Sequence, residues 1–182
     1  MITYVALLRG INVGAHRRMK MADLKAALAE LGFQEIQSYI QSGNIVFQNK
    51  KSKESELETQ ISEKIEATFG YVDVPVKVLS AKDLQSLFKK NPFVSEEQDI
   101  KQLHATLLSS KPSKTQIALI KEMDFGNDQF IVDGKTVYLN IENPYHKTKL
   151  GNGFFEKKFD CRATTRNWKT TTKLVEMCEP DF

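Results

Sequence analysis

The chain has 182 residues, 41% of them hydrophobic and 27% charged, which suits one domain or two small ones and excludes a disordered polypeptide. Two cysteines, Cys161 and Cys178, exclude a disulfide framework and fit reduced thiols in a reducing compartment. Residues 1–9 lack the basic start and long apolar core of a signal peptide, and no later run approaches a membrane span, so the expectation is a cytoplasmic protein with no membrane partner.

Residues 3–9 form a mostly apolar, β-rich run and read as a strand. Residues 10–20 are a loop with two glycines and Asn12. Met21, Leu24, Leu28 and Leu31 recur with helical spacing, and Gly32 ends that helix. Residues 36–40 and 45–48 read as strands joined by the tight turn Gln41-Ser42-Gly43-Asn44. Ser55 and Glu58 have the spacing of a capping box for a helix that buries Leu57, Ile61, Ile65 and Phe69 and ends near Gly70. Residues 74–79 are a further strand, with Pro75 marking an edge or a strand start. The order β-α-β-β-α-β is the ferredoxin-like pattern.

After a short helix over 81–90, capped by Ser80 and stopped by Asn91-Pro92, the pattern begins again. Residues 103–109 read as a strand and 114–123 as a helix with Ile117 and Ile120 facing in. A hairpin follows around Asp133-Gly134, a type I′ signal. Residues 153–159 and 167–178 read as helices, with Thr164 and Thr165 capping the last one and Arg166 in its first turn. The expected fold is α+β: two ferredoxin-like (β-α-β-β) subdomains with extra C-terminal helices. The expected division is a subdomain over 1–80, a connecting helix and linker over 81–101, and a second subdomain over 102–182, forming one compact unit. In a β-α-β-β unit the first two strands run the same way, so the end of the first strand meets the turn between the second and third. Arg9, Gly10 and Asn12 are thereby expected beside Ser42, Gly43 and Asn44.

Three blocks of sequence resemble the family known as domain of unknown function 1697. They are Leu7-Leu8-Arg9-Gly10-Ile11-Asn12-Val13-Gly14 with Met21-Ala22-Asp23-Leu24; Tyr39-Ile40-Gln41-Ser42-Gly43-Asn44-Ile45-Val46-Phe47; and Lys147-Thr148-Lys149-Leu150, Phe154-Phe155-Glu156 and Ala163-Thr164-Thr165-Arg166-Asn167-Trp168. The resemblance covers nearly the whole chain. It implies a cytoplasmic, bacterial-type protein of two ferredoxin-like subdomains, and it implies no activity. Cys161 and Arg162 lie outside these motifs.

The net charge of +3 does not require a nucleic-acid partner, but its distribution is uneven. Residues 1–25 carry +4, residues 26–144 carry −4 and residues 145–182 carry +3. The only arginines are Arg9, Arg17, Arg18, Arg162 and Arg166. Arginine suits two-pronged capture of phosphate or carboxylate better than lysine does. Basic and aromatic residues interleave over 145–173, a mixture that suits phosphate or nucleic acid, although Trp168, Thr171, Val175 and Cys178 share one face and read as core. Residues 10–20 lack the Walker A ending and there is no dinucleotide fingerprint, so any anion cradle here is a looser one. His16, His104 and His146 are scattered without metal-ligand spacing, no nucleophile elbow is present, and no motif calls for a cofactor. Glu156 and Asp160, four apart on a basic helix, read as ion-pair partners rather than as an acid/base pair. The reading is a binding protein for an anionic small molecule or nucleic acid, through Arg9, Asn12, Ser42, Asn44, Lys149 and Arg166. The alternatives are an enzyme acting on a small anionic substrate and a protein–protein interaction module.

Overall fold

The computed structural model describes residues 1–95, 97–142 and 144–179. The protein is a mixed α/β chain with two four-stranded antiparallel sheets and, among the described residues, six α-helices. It divides into two compact units, one of residues 1–86 with the segment from Leu174 onward, the other of residues 87–173.

In the N-terminal unit the order is β1 (Ile2–Leu8), α1 (Met21–Ala29), β2 (Gln34–Tyr39), β3 (Asn44–Asn49), α2 (Glu54–Phe69) and β4 (Val76–Ser80). The sheet order is β2-β3-β1-β4. Side chains alternate across a strand, so Tyr4, Ala6 and Leu8 share one face. They bury there with Ile45, Phe47 and Val78 against Leu24 and Leu28 of α1 and Leu57, Ile61 and Ile65 of α2. Each of the leucine, isoleucine, valine and phenylalanine side chains among them contributes about 1.5–3 kcal/mol by leaving water. Phe33 stacks on Phe47 with centroids 4.4 Å apart. Helix α2 does not use Ser55 as a cap: its N-cap is Lys53, without a side-chain hydrogen bond. Glu58 instead reaches across to β4, where Oε1 accepts from Lys77 Nζ at 2.7 Å and from the Val78 N–H at 3.0 Å. A sheet edge with an unpaired N–H outcompetes the helix's own terminus for that carboxylate.

Helix α3 (Ala81–Lys89) follows β4 directly, and Ser80 Oγ accepts from the Asp83 N–H as expected for its cap. The C-terminal unit contains β5 (Leu103–Leu108), α4 (Lys114–Lys121), β6 (Gln129–Asp133), β7 (Thr136–Asn140), α5 (Asn152–Phe159) and β8 (Ala163–Asn167). Its sheet order, β6-β7-β5-β8, repeats that of the first sheet. A reciprocal capping box joins Ser113 and Gln116 at the start of α4. In the β6–β7 hairpin Asp133 pairs with Thr136, leaving Gly134-Lys135 as the turn. Only Gly134 of these two has a left-handed φ, so the turn is not type I′, which needs both central residues there.

The largest correction is β8. Residues 163–167 are not the cap and first turn of a helix but an edge strand paired with β5, Thr165 opposite Thr106 and Arg166 opposite Ala105. The second unit therefore has its fourth strand, and helix α6 (Trp168–Cys178) starts only after it, with Asn167 Oδ1 accepting from the Thr170 N–H at 2.8 Å. Ala-Thr-Thr-Arg-Asn carries no apolar alternation. It is held by its ladder and by hydroxyls: Thr165 Oγ1 lies 2.7 Å from Thr106 Oγ1 and 2.7 Å from Asn152 Oδ1. The predicted stripe on α6 is buried as expected, at Trp168, Thr171, Val175 and Cys178.

Strands β1 and β2 both run antiparallel to β3 and hence parallel to each other in direction, so the end of β1 meets the β2–β3 turn. Leu7 pairs with Asn44, and the Leu8 N–H donates to the Gly43 carbonyl at 2.8 Å. Gly43 has φ +76°, and a Cβ there would stand 2.7 Å from Leu8 Cβ and 2.8 Å from Ile11 Cδ1. Gly43→Ala is expected to destabilise the protein by about 2–4 kcal/mol, from the left-handed backbone together with overpacking. Urea unfolding followed by circular dichroism measures it; a loss below about 1 kcal/mol would mean that the turn yields more readily than packed interiors do.

Candidate functional site

The β1–α1 loop turns back on itself through several left-handed residues, Gly10, Asn12, Gly14 and Arg17. Asn12 is its organiser. Its Oδ1 accepts from the Met19 N–H at 2.8 Å, and its Nδ2 donates to the Met19 carbonyl at 3.0 Å and to the Gln41 carbonyl at 2.8 Å. One side-chain amide thus closes the loop and ties it to the β2–β3 turn. A third segment joins from the α2–β4 connection. Arg17 Nη2 donates to the Val72 carbonyl at 3.0 Å and the Tyr71 hydroxyl donates to the Arg18 carbonyl at 2.7 Å.

These segments frame an open cleft of about 570 Å³, lined by Asn12, Gly14, Arg18, Met19, Lys20, Asp23, Gln41 and Phe69. Arg18 and Lys20 bring two exposed cations to it. Helix α1 begins here, and its N-cap residue Lys20 makes no side-chain cap, which leaves the first N–H groups and the positive end of the helix dipole facing this region. Phe69 supplies an apolar wall and stacks on Tyr71. Asp23 is the one carboxylate in the lining. A second cavity of the same unit, about 330 Å³, has only Glu35 and Glu179 as charged lining residues, so its potential opposes an anion.

The predicted site residues fall in two groups. Arg9, Asn12, Ser42 and Asn44 come together at this end of the first sheet. Arg9 is half-buried, its N–H bound to the Pro75 carbonyl at 3.0 Å. Asn44 is fully buried, and its Nδ2 donates to the Tyr39 carbonyl at 3.1 Å and to Ser42 Oγ at 2.9 Å, so its amide shapes the turn from inside. Lys149 and Arg166 belong to the C-terminal unit. Exposed Lys149 donates to the Asp124 carbonyl at 3.4 Å, while its neighbour Thr148 bonds the buried Asp128 carboxylate at 2.6 Å. Arg166 lies half-buried on β8 and donates from Nη1 to the Thr165 carbonyl at 3.0 Å. Burial pushes its guanidinium down to about 10, still cationic at neutral pH. It stands on a strand and not in the first turn of the last helix. Arg18, Lys20 and Phe69 line the cleft without belonging to the expected ligand set, although Lys20 falls in the looser anion cradle expected over residues 10–20. The +4 charge of residues 1–25 was the signal that pointed to the first two.

No cluster of three metal-ligating side chains occurs among the described residues, and no helix of the described residues is long and apolar enough to cross a membrane. Burial pushes the Cys178 thiol up to about 11 and raises that of Cys161 as well, so neither is a thiolate at neutral pH. His104 is buried on β5 and stacks on Tyr145 with centroids 4.7 Å apart.

A family model described as "Protein of unknown function (DUF1697)" matches residues 1–138. A search of the curated proteins found no match. Among solved structures, a conserved bacterial protein from Streptococcus pneumoniae is similar, with a TM-score of 0.73 and 24% identity over 98% of this chain and 99% of that one. At that identity the likeness speaks for the fold.

Asn12→Ala is expected to destabilise the protein by about 1–3 kcal/mol, because two carbonyls and an N–H lose their partner. Ser42→Ala, at an exposed position, is expected to stay within about 1 kcal/mol. Parallel urea titrations compare them, and equal losses would remove Asn12 from its organising role. Burial lowers the pKa of His104 below its usual 6.5. The unfolded chain then binds the proton more readily than the native one, so stability falls as pH drops through and below about 6.5. His104→Gln is expected to flatten this part of the pH–stability curve, measured as the urea midpoint between about pH 5 and 7.

Proposed function

The chain belongs to the DUF1697 family of proteins of unknown function, and from that premise we propose that it binds a small phosphate- or carboxylate-bearing ligand in the cleft of its N-terminal unit. The observation that carries this reading is the cleft's lining. Arg18 and Lys20 flank the start of α1 where the helix has no side-chain cap, and Phe69 stands across the same opening. Cations and unpaired N–H groups favour a compact anion. An apolar ring favours a ligand with a flat or aliphatic portion, a nucleotide-like molecule among them. Asn12, Arg9, Ser42 and Asn44 serve this reading as the frame that holds the cations in place, and Asn12 also lines the cleft itself. The identical strand orders, with helices between first and second and between third and fourth strands, support assigning both units to the ferredoxin-like topology. Two free thiols fit the cytoplasm.

The interior polar residues favour binding over catalysis. His104 is packed against Tyr145, both thiols are held protonated, and none of the three lines the cleft. Titration of the full chain with inorganic phosphate and with adenosine monophosphate, followed by amide NMR, tests the proposal. Shifts are expected at Arg18, Lys20 and Met21 to Asp23, weakening with salt. Arg18→Gln with Lys20→Gln is expected to weaken binding at least about tenfold. No shift at millimolar ligand and low salt would overturn it.

A further inference from the structure

The loop end around the cleft carries a feature that a site for a small anion does not require. Val13, Ile40 and Val72 are 63%, 54% and 62% exposed, among the most exposed large apolar side chains of the described residues. They stand on three different connections, the β1–α1 loop, the β2–β3 turn and the α2–β4 turn. Those connections are bound to one another. Asn12 reaches the Gln41 carbonyl, next to Ile40; Arg17 reaches the carbonyl of Val72 itself; Val13 bridges to His16 within the loop. The three aliphatic tips therefore belong to one knitted surface.

Ile40 is the more telling because its backbone is left-handed, with φ +50°. A β-branched residue is strained there, whereas glycine or asparagine would fit at little cost. An isoleucine more than half exposed in that conformation gives the fold little: most of its side chain stays in water and its backbone is held against its preference. Strain of this kind concentrates where a surface meets another molecule. Charge indicates which kind of molecule. Arg9, Arg17, Arg18 and Lys20 stand in this region against Asp23 and Asp73. The rings nearby, Phe69 and Tyr71, are half-buried and stacked on each other rather than presented at the tips. The aliphatic tips have only one exposed ring beside them, the His16 imidazole, and one ring does not make a stacking platform for successive bases. They also lack the Trp, Phe or Leu anchors of a membrane-inserting face. Aliphatic tips and cations around an apolar-walled cleft complement a polypeptide that mixes carboxylates with apolar side chains.

We propose that the loop end of the N-terminal unit is a docking surface for an acidic, apolar-bearing protein segment. The segment's apolar side chains cover Val13, Ile40 and Val72, and one carboxylate enters the cleft beside Arg18 and Lys20. The inference rests on the anion-binding reading of that cleft and makes its anion part of a polypeptide.

The test selects a displayed library of random peptides on the full chain and uses the enriched peptide, synthesised and fluorescently labelled, as the probe. Enrichment is expected for peptides combining Asp or Glu with Leu, Ile or Phe. Arg18→Glu is expected to weaken the probe at least about tenfold, and so is Val72→Ser. Ile40→Asn separates docking from folding: it is expected to keep or raise the melting temperature, because asparagine accepts the left-handed backbone, while weakening the probe. Phosphatidylserine vesicles and single-stranded RNA are run alongside. The proposal is overturned if no peptide enriches, if the enriched peptides lack acidic residues, or if the Ile40 and Val72 variants bind as the parent does. It is equally overturned if vesicles or RNA bind through these residues and peptides do not. Phosphate binding without peptide binding leaves the small-anion reading standing and removes this one; failure of both removes both.

Discussion

The contact on which the N-terminal unit's loop end depends is the approach of Gly43 to Leu8 and Ile11. A glycine with a left-handed backbone lets the β2–β3 turn lie directly on the end of β1, closer than any side chain would allow. The turn carbonyls then fall within reach of the next loop, and Asn12 takes the one at Gln41 while closing the loop around Met19. With Met19 buried and fixed, Lys20 and the start of α1 are fixed too. The cleft is thus a consequence of packing: its floor is pinned from below, and its cations sit on a backbone with few alternatives.

This changes what the family resemblance means. The polar residues that make the motifs recognisable, Asn12 and Asn44 in the first unit and Thr148 and Thr165 in the second, bond to backbone or to buried polar groups. They specify loop and strand geometry. Arg18, Lys20, Phe69 and the exposed tips Val13, Ile40 and Val72 line or surround the cleft, and of these only Val13 and Ile40 lie within the blocks by which the family is recognised. Membership therefore conveys an architecture more than a chemistry.

The same division explains what could be read from the sequence. The helices and strands of the first unit follow from the periodicity of Met21, Leu24 and Leu28, of Leu57, Ile61 and Ile65, and from the β-rich first run, because each buries one regular face. The meeting of Asn12 with the Gly43 turn was legible too, since strand direction alone dictates it. Strand β8 was not. Its strandness resides in pairing with β5 and in a hydroxyl chain from Thr106 through Thr165 to Asn152, contacts that join positions far apart in sequence. Ser55 and Glu58 had the spacing of a cap, but a distant β4 N–H and Lys77 took the glutamate. Phe69 looked like a core residue at the end of a helical stripe, and nothing local says that half of it faces an opening.

The two units make an internal comparison that isolates the functional elaboration. Their sheets share one strand order, and the bonds at the end of the first strand correspond one to one. Leu8 N–H to the Gly43 carbonyl matches Leu108 N–H to the Lys135 carbonyl; Arg9 N–H to the Pro75 carbonyl matches Ser109 N–H to the Arg162 carbonyl. What differs is the chain that leaves this point. Residues 109–113 lead into α4 in five residues, and residues 134–135 close the adjacent hairpin with two. In the first unit residues 9–20 and 40–43 fill the same places. A loop of that length is not needed to connect the elements, as the second unit demonstrates. Ordering it costs about 1–2 kcal/mol of backbone entropy per residue, against which stand the burial of Ile11 and Met19 and the hydrogen bonds of Asn12. An ordered, cation-bearing extension that the connection itself does not require is what the proposed anion-binding role calls for at this end of the sheet.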